Sequence, residues 1–330
     1  MIDEKTKEER RAKLRALTVM SLDEKEAHAA EQIEQFYMRE KGQVYLAFSG
    51  GKDSTVVKYI MEHKAFVQRD IPAVFVNTGL EYPESVEFAK EQGAVALRPE
   101  KTFKQVLIEY GYPLISKDVA SAIAEIRHNP TGCRQKQFDE SYSWSKYCKV
   151  KWKPMIDLPI KISNKCCEAL KKSPLKNYQR KTGRHSIRGL TVAEGGQRRQ
   201  SWMNRGGCTA FSDEGSKAPV CDPISPWLSQ DVLKYIVREN IAISSVYGTV
   251  DKDRHGRYAC SGESRTGCMF CPFGMHLEKG ETRFQRLQKL RPKIYEYVVG
   301  GGRMGRRKRK GNMAAKLKRA RLCEGVRHGK

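Results

Sequence analysis

No apolar run in the chain approaches the roughly 18 residues that a membrane-spanning helix needs. Met1 to Arg15 is charged and helix-like, without a secretory apolar segment, so a soluble, cytoplasmic protein with no membrane partner is expected. Acidic residues are in the minority, 38 Asp and Glu against 62 Lys and Arg, for a net charge of +24. The deficit is local. Residues 127–185 and 300–330 each carry +11, leaving only +2 for the rest of the 330-residue chain. A body that is otherwise neutral with two basic regions points to a polyanionic partner, of which nucleic acid is the commonest in the cytoplasm. A disulfide framework is not expected there, so the ten cysteines are read as metal ligands or reactive thiols.

Residues 49–54 read Ser49-Gly50-Gly51-Lys52-Asp53-Ser54, after the apolar run 44–48 and before the helix-compatible stretch from Thr55 to Met61. The loop lacks the spacing of a Walker motif and the three spaced glycines of a dinucleotide fingerprint. Strand, glycine turn and helix nevertheless build a phosphate cradle: Gly50 and Gly51 admit a close polyphosphate, met by backbone amides and the helix N-terminus. Lys52 adds a mobile positive charge. Asp53 is the candidate contact to Mg²⁺ or to ribose, and Ser49 and Ser54 are candidate phosphate donors.

Apolar spacing predicts one or two helices over 3–40 with Ser21 as a cap, then strand 44–48, helix 54–63, strand 73–76, helix 84–92 and strand 94–97. Further helices are expected over 102–110, 117–127 and 229–239, the last capped by Ser229, and a strand over 186–192. This alternation predicts an α/β fold, a Rossmann-like doubly wound parallel sheet whose ligands sit beyond the carboxyl ends of the strands. Three regions are expected: an N-terminal helical segment 1–40, a nucleotide-binding domain 41–299 with a basic, cysteine-containing insertion over 128–185, and a basic tail 300–330. In the insertion, lysines interleave with Phe138, Tyr142, Trp144, Tyr147, Trp152 and Tyr178, which are read either as stacking platforms for bases or as ordinary core.

Cys166 and Cys167 are adjacent, and Cys268 and Cys271 form a C-x-x-C pair a hundred residues later. Four thiolates suit an iron–sulfur cluster or zinc. Neighbouring side chains diverge, which favours a 4Fe–4S cubane with separate irons over one small tetrahedral zinc ion. Cys260 is the reserve ligand, and His276 is read as either a group behind the ligands or an ordinary histidine.

With these residues assembled, the chain resembles the phosphoadenosine phosphosulfate (PAPS) reductase family, a branch of the PP-loop ATP pyrophosphatase superfamily. Ser49–Ser54 is similar to its phosphate or sulfonate cradle. Asn77-Thr78-Gly79, followed by Tyr82-Pro83-Glu84-Ser85, resembles a second signature against the adenosine, with Asn77 where Asp is usual. Gly189, Glu194 and Arg198 keep the spacing of a third element lining the nucleotide site. Lys165-Cys166-Cys167 with Cys268 and Cys271 has the layout of the cluster motif in the iron–sulfur branch. The reductase's C-terminal Glu-Cys-Gly-hydrophobic-His is missing; the nearest string surrounds Cys323. Relatives without that cysteine resemble DNA phosphorothioation and tRNA thiolation enzymes, which implies ATP, Mg²⁺, a nucleic-acid acceptor and a sulfur-donor protein. The alternative implied is a sulfonucleotide reductase acting on PAPS or adenosine phosphosulfate (APS), with Cys323 as nucleophile and a reductant protein. A third reading is a nucleic-acid-binding protein without turnover.

Overall fold

The computed structural model describes residues 3–299 apart from 68–70, 217 and 279. Helix α1 (Glu4–Val19) begins where the Asp3 carboxylate accepts from the Thr6 amide, and α2 (Leu22–Arg39) begins at a reciprocal capping box between Ser21 and Glu24. Strand-helix alternation follows: β1 (Val44–Phe48), α3 (Lys52–His63), β2 (Ala73–Val76), α4 (Pro83–Glu91) and β3 (Val95–Leu97). Then come α5 (Phe103–Glu109) and α6 (Lys117–His128), a stretch of short 3₁₀ turns over 133–155, and α7 (Ser173–Thr182). Next are β4 (His185–Arg188), α8 (Gly196–Arg205), β5 (Thr209–Ala210), β6 (Val220–Cys221) and α9 (Ser229–Arg238). The hairpin β7 (Val250–Lys252) and β8 (Tyr258–Cys260) precedes α10 (Arg283–Leu290) and α11 (Pro292–Val299).

These elements divide into two units, one made of residues up to Arg98 plus Pro174–Gly267, the other of Pro99–Ser173 plus the chain from Cys268. The first unit holds a six-stranded sheet in the order β3-β2-β1-β4-β6-β5. Its pairs are parallel except β5 with β6. Side chains alternate across β1, so Leu46 enters the core with Ile33, Phe36, Val56, Ile60 and Trp227, while Tyr45 meets Tyr178 of α7 at 5.1 Å between centroids. Helices therefore cover both faces. The chain winds outward from β1 through β2 to β3, then returns to place β4 on the other side of β1. That reversal falls between β1 and β4, and in doubly wound sheets the ligand crevice opens at such a point, beyond the carboxyl ends of the strands.

The second unit has its own core, in which Val119, Ile123 and Ile126 of α6 pack with Phe138, Trp152, Met155 and Ile162. Little regular structure supports it. Instead, the Arg127 guanidinium donates to the backbone carbonyls of Met155, Ile156, Leu158 and Ile160. One side chain thus satisfies acceptors that a strand or helix would otherwise have to satisfy.

The expected α/β sheet is present, with an antiparallel edge at β5. Other expectations shift. Helix α3 starts at Lys52 rather than residue 54, because Gly51 occupies the cap position. Ser229 lies inside α9; Leu228 is the cap residue, and its amide is taken by the Asp231 carboxylate at 2.7 Å. The strand predicted over 186–192 ends at Arg188, since residue 189 turns toward the glycine loop. The basic stretch 128–185, expected to be irregular, contains α7.

Candidate functional site

Apolar β1 drives the chain straight into its glycine turn. Gly50 has φ +67°, and a Cβ there would lie 2.8 Å from the Ser85 carbonyl oxygen of α4. A side chain is excluded on both counts. On the β4 side, a Cβ on Gly189 would stand 2.6 Å from the Ser54 amide nitrogen and 2.7 Å from the Asp53 carbonyl. The loop after β4 therefore runs hard against the first turn of α3. Hydroxyls complete the turn: Ser54 Oγ donates to the Gly51 carbonyl at 2.8 Å and lies 3.0 Å from Ser49 Oγ.

Lys52, expected in the loop, is a buried residue of the first turn of α3, its Nζ 3.2 Å from Asp53 Oδ2. Its amide donates to the Tyr247 hydroxyl at 3.1 Å, which in turn bonds Thr266 Oγ1 at 2.9 Å. Tyr247 is buried, and burial pushes its hydroxyl's pKa above the usual range. The loop is thus held from below by a phenol nearly two hundred residues away.

The second signature is stiffened by its own acid. The Thr78 amide and hydroxyl both donate to the buried Glu81 carboxylate, at 2.9 Å for the amide, and the Gly79 amide donates to Asn77 Oδ1 at 3.0 Å. Asn77 serves as a neutral turn former, a role that needs no charge. Glu194 pairs with Arg198 and, at 3.0 Å, with Arg265. Burial lowers the Arg198 pKa, Arg265 adds to the shift, and Asp53 is among the charges that oppose it. At the end of β4, Arg188 grips Asp222 with two bonds of 2.7 Å, and Arg205 joins at 2.6 Å. The first unit therefore gathers Ser49–Ser54, Asn77–Gly79, Glu194 and Arg198 at one end of its sheet. Glu81 stands inside the second signature, whereas Tyr247, Arg265 and Thr266 carry no glycine pattern or spacing that would mark them in the sequence.

In the second unit, Cys166 is buried and Cys167, Cys268 and Cys271 are partly buried. Cys166 donates its proton toward Cys167, which lowers Cys167 and raises Cys166; Lys117 and Lys171 favour the Cys167 thiolate further. The charges of Cys268 and Cys271 are felt at Cys166, and burial raises Cys271. Arg283 donates to the Cys271 carbonyl at 3.1 Å. Among the described residues, no three His, Cys, Asp or Glu are arranged around a point as ligands of a single ion. The thiols have Lys117, Lys171 and Arg283 around them, charges of the sign that would offset an anionic cluster. Cys260 stands on β8 in the other unit, with Lys52 and Asp53 as its charged neighbours. His276 sits edge-on to Trp152 at 5.5 Å, and burial lowers its pKa, as in a packed histidine. Cys323 and the basic tail lie outside the described residues.

A model of the phosphoadenosine phosphosulfate reductase domain family matches residues 43–111 and 119–273. An uncharacterized protein of Methanocaldococcus jannaschii is 25% identical over 283 residues, covering 83% of this chain and 44% of that protein. The chain thus spans less than half the length of that relative. The crystal structure of phosphoadenylyl-sulfate reductase from Candida auris, a phosphate complex, overlaps 78% of this chain and 98% of its own, at 11% identity and a TM-score of 0.39. No described helix is long and apolar enough to cross a membrane.

Proposed function

Because the chain belongs to the phosphoadenosine phosphosulfate reductase domain family and so to the PP-loop superfamily, we propose that it binds ATP at the β1–β4 crevice and activates an acceptor for sulfur transfer. The observation that supports this most is the glycine loop between β1 and α3, which Gly50 and Gly189 allow to pack directly against the backbone of α4 and of the loop after β4, leaving the turn and the start of α3 fixed beyond the sheet's carboxyl edge. An acceptor oxygen attacks the α-phosphorus, the α–β phosphoanhydride breaks, and pyrophosphate leaves with the bonding electrons. Sulfide then attacks the acceptor atom that bears the adenylated oxygen and expels AMP, which carries that oxygen away and leaves sulfur in its place. The Lys52 side chain stabilises the charge gathering on pyrophosphate. Asp53 is the residue that would hold Mg²⁺, which when bound would offset charge on the polyphosphate. Glu194 and Arg198 line the nucleotide. The acceptor class we assign to nucleic acid, on the strength of the basic region 127–185.

Cys166, Cys167, Cys268 and Cys271 are the residues that would hold a 4Fe–4S cluster. Bound there, a cluster would supply a site for sulfur or electrons, and Lys117 and Lys171 would offset its negative charge. Zinc is the alternative occupant.

Product analysis tests the reading. Anaerobically purified protein is given ATP, APS or PAPS separately, with Mg²⁺, a dithiol and nucleic acid. Pyrophosphate and AMP from ATP are expected. Sulfite from APS or PAPS with ATP untouched would replace the reading with a sulfonucleotide reductase.

A further inference from the structure

The aromatics of the basic stretch separate into two populations. Phe138 and Trp152 are buried in the core beside α6, anchoring the segment at both ends. Between them Trp144 is 80% exposed and Tyr147 52%. A tryptophan left in water beside a core that accepts its neighbours forgoes the largest apolar burial any side chain offers. Tyr142 lies 5.1 Å from the Trp144 ring, and Lys146 stands 5.2 Å over the Tyr147 ring. Lys136, Lys151 and Lys153 are exposed on the flanking turns, whereas Lys149 is buried against Asp118 at 2.7 Å and offers no charge to a partner.

We propose that residues 142–153 form a docking surface for an unpaired nucleic-acid strand, with bases stacking on Trp144 and Tyr147 and phosphates meeting Lys146, Lys151 and Lys153. Flat exposed rings select bases that are free of a helix, and lysines at the rim fit the spacing of a flexible backbone rather than one fixed groove. A duplex hides its base faces and leaves the rings without work. An acidic protein would satisfy the lysines but not the rings. The proposal rests on the nucleic-acid part of the functional reading and is independent of the nucleotide chemistry.

The test uses the full-length protein and fluorescein-labelled 15-mers of uridylate and thymidylate, a mixed-sequence duplex and polyglutamate, by fluorescence polarisation across a salt series. Either single strand should bind more tightly than the duplex. The Trp144→Ala/Tyr147→Ala double variant should weaken strand binding by at least about tenfold with the salt slope unchanged. The Lys146→Ala/Lys151→Ala/Lys153→Ala variant should lower the slope by about 2, at about 0.7 per lysine. Both side-chain sets are exposed, so far-UV circular dichroism should match wild type. ATP binding measured without nucleic acid should also be unchanged, which separates failure of this surface from failure of the ATP reading. Equal binding of strand and duplex, strand binding indifferent to loss of both rings, or polyglutamate binding as tight as the strands would overturn the proposal.

Discussion

At the residue scale, the glycine loop and the first turn of α3 are held in place by what is missing from Gly50 and Gly189 and by one distant phenol. Gly189→Ala puts a methyl group 2.6 Å from the Ser54 amide nitrogen, a backbone atom that cannot swing aside. The expected result is a loss of about 1–3 kcal/mol in denaturant unfolding together with weakened ATP binding. Lys52→Ala should instead fold normally and release pyrophosphate about 10²–10³-fold more slowly, because it removes charge opposite the leaving group. Unaltered release would assign that charge elsewhere. Tyr247→Phe leaves the Lys52 amide and Thr266 hydroxyl without their partner. A stability loss of about 1–3 kcal/mol is expected, with KM for ATP rising more than kcat falls, as steady-state kinetics would show.

At the scale of elements, β1, the glycine loop and α2 were legible because each is signalled within a few neighbouring residues. Val44–Phe48 is apolar throughout, as a strand buried on both faces must be, and Ser21 with Glu24 forms a local box. Strands β5 and β6 have two residues each, too few for any alternation to be read. Tyr247 could not be read because its partner is the Lys52 amide, a backbone group that every residue except proline possesses. The second unit was hardest, since its 133–162 stretch is organised by Arg127 rather than by a hydrogen-bond ladder. Arg127→Met should therefore strand several carbonyls at once, costing at least about 2 kcal/mol. Hydrogen exchange should rise across 150–162 while β1 and β2 keep their protection; equal deprotection of both regions would show that the two cores unfold together.

At the scale of the whole molecule, the order in which the chain visits its two units explains why two cysteine pairs a hundred residues apart become neighbours. The chain enters the second unit at Pro99, leaves after Ser173, and re-enters at Cys268, the first thiol of the C-x-x-C pair. A cluster bound by Cys166, Cys167, Cys268 and Cys271 would tie these two chain segments together, and ligand binding of that kind contributes directly to folding stability. Anaerobic treatment with ferrous iron and sulfide should give brown protein whose visible absorbance is bleached by dithionite, and Cys167→Ser or Cys268→Ser should prevent it. Colourless protein holding one zinc per chain would assign the thiols to zinc. In either case removal of the metal by a chelator should raise hydrogen exchange around 112–126 and 150–162, where the second core lies, more than in the sheet of the first. Exchange that is unchanged in both would mean that the core around α6 needs no metal to stand.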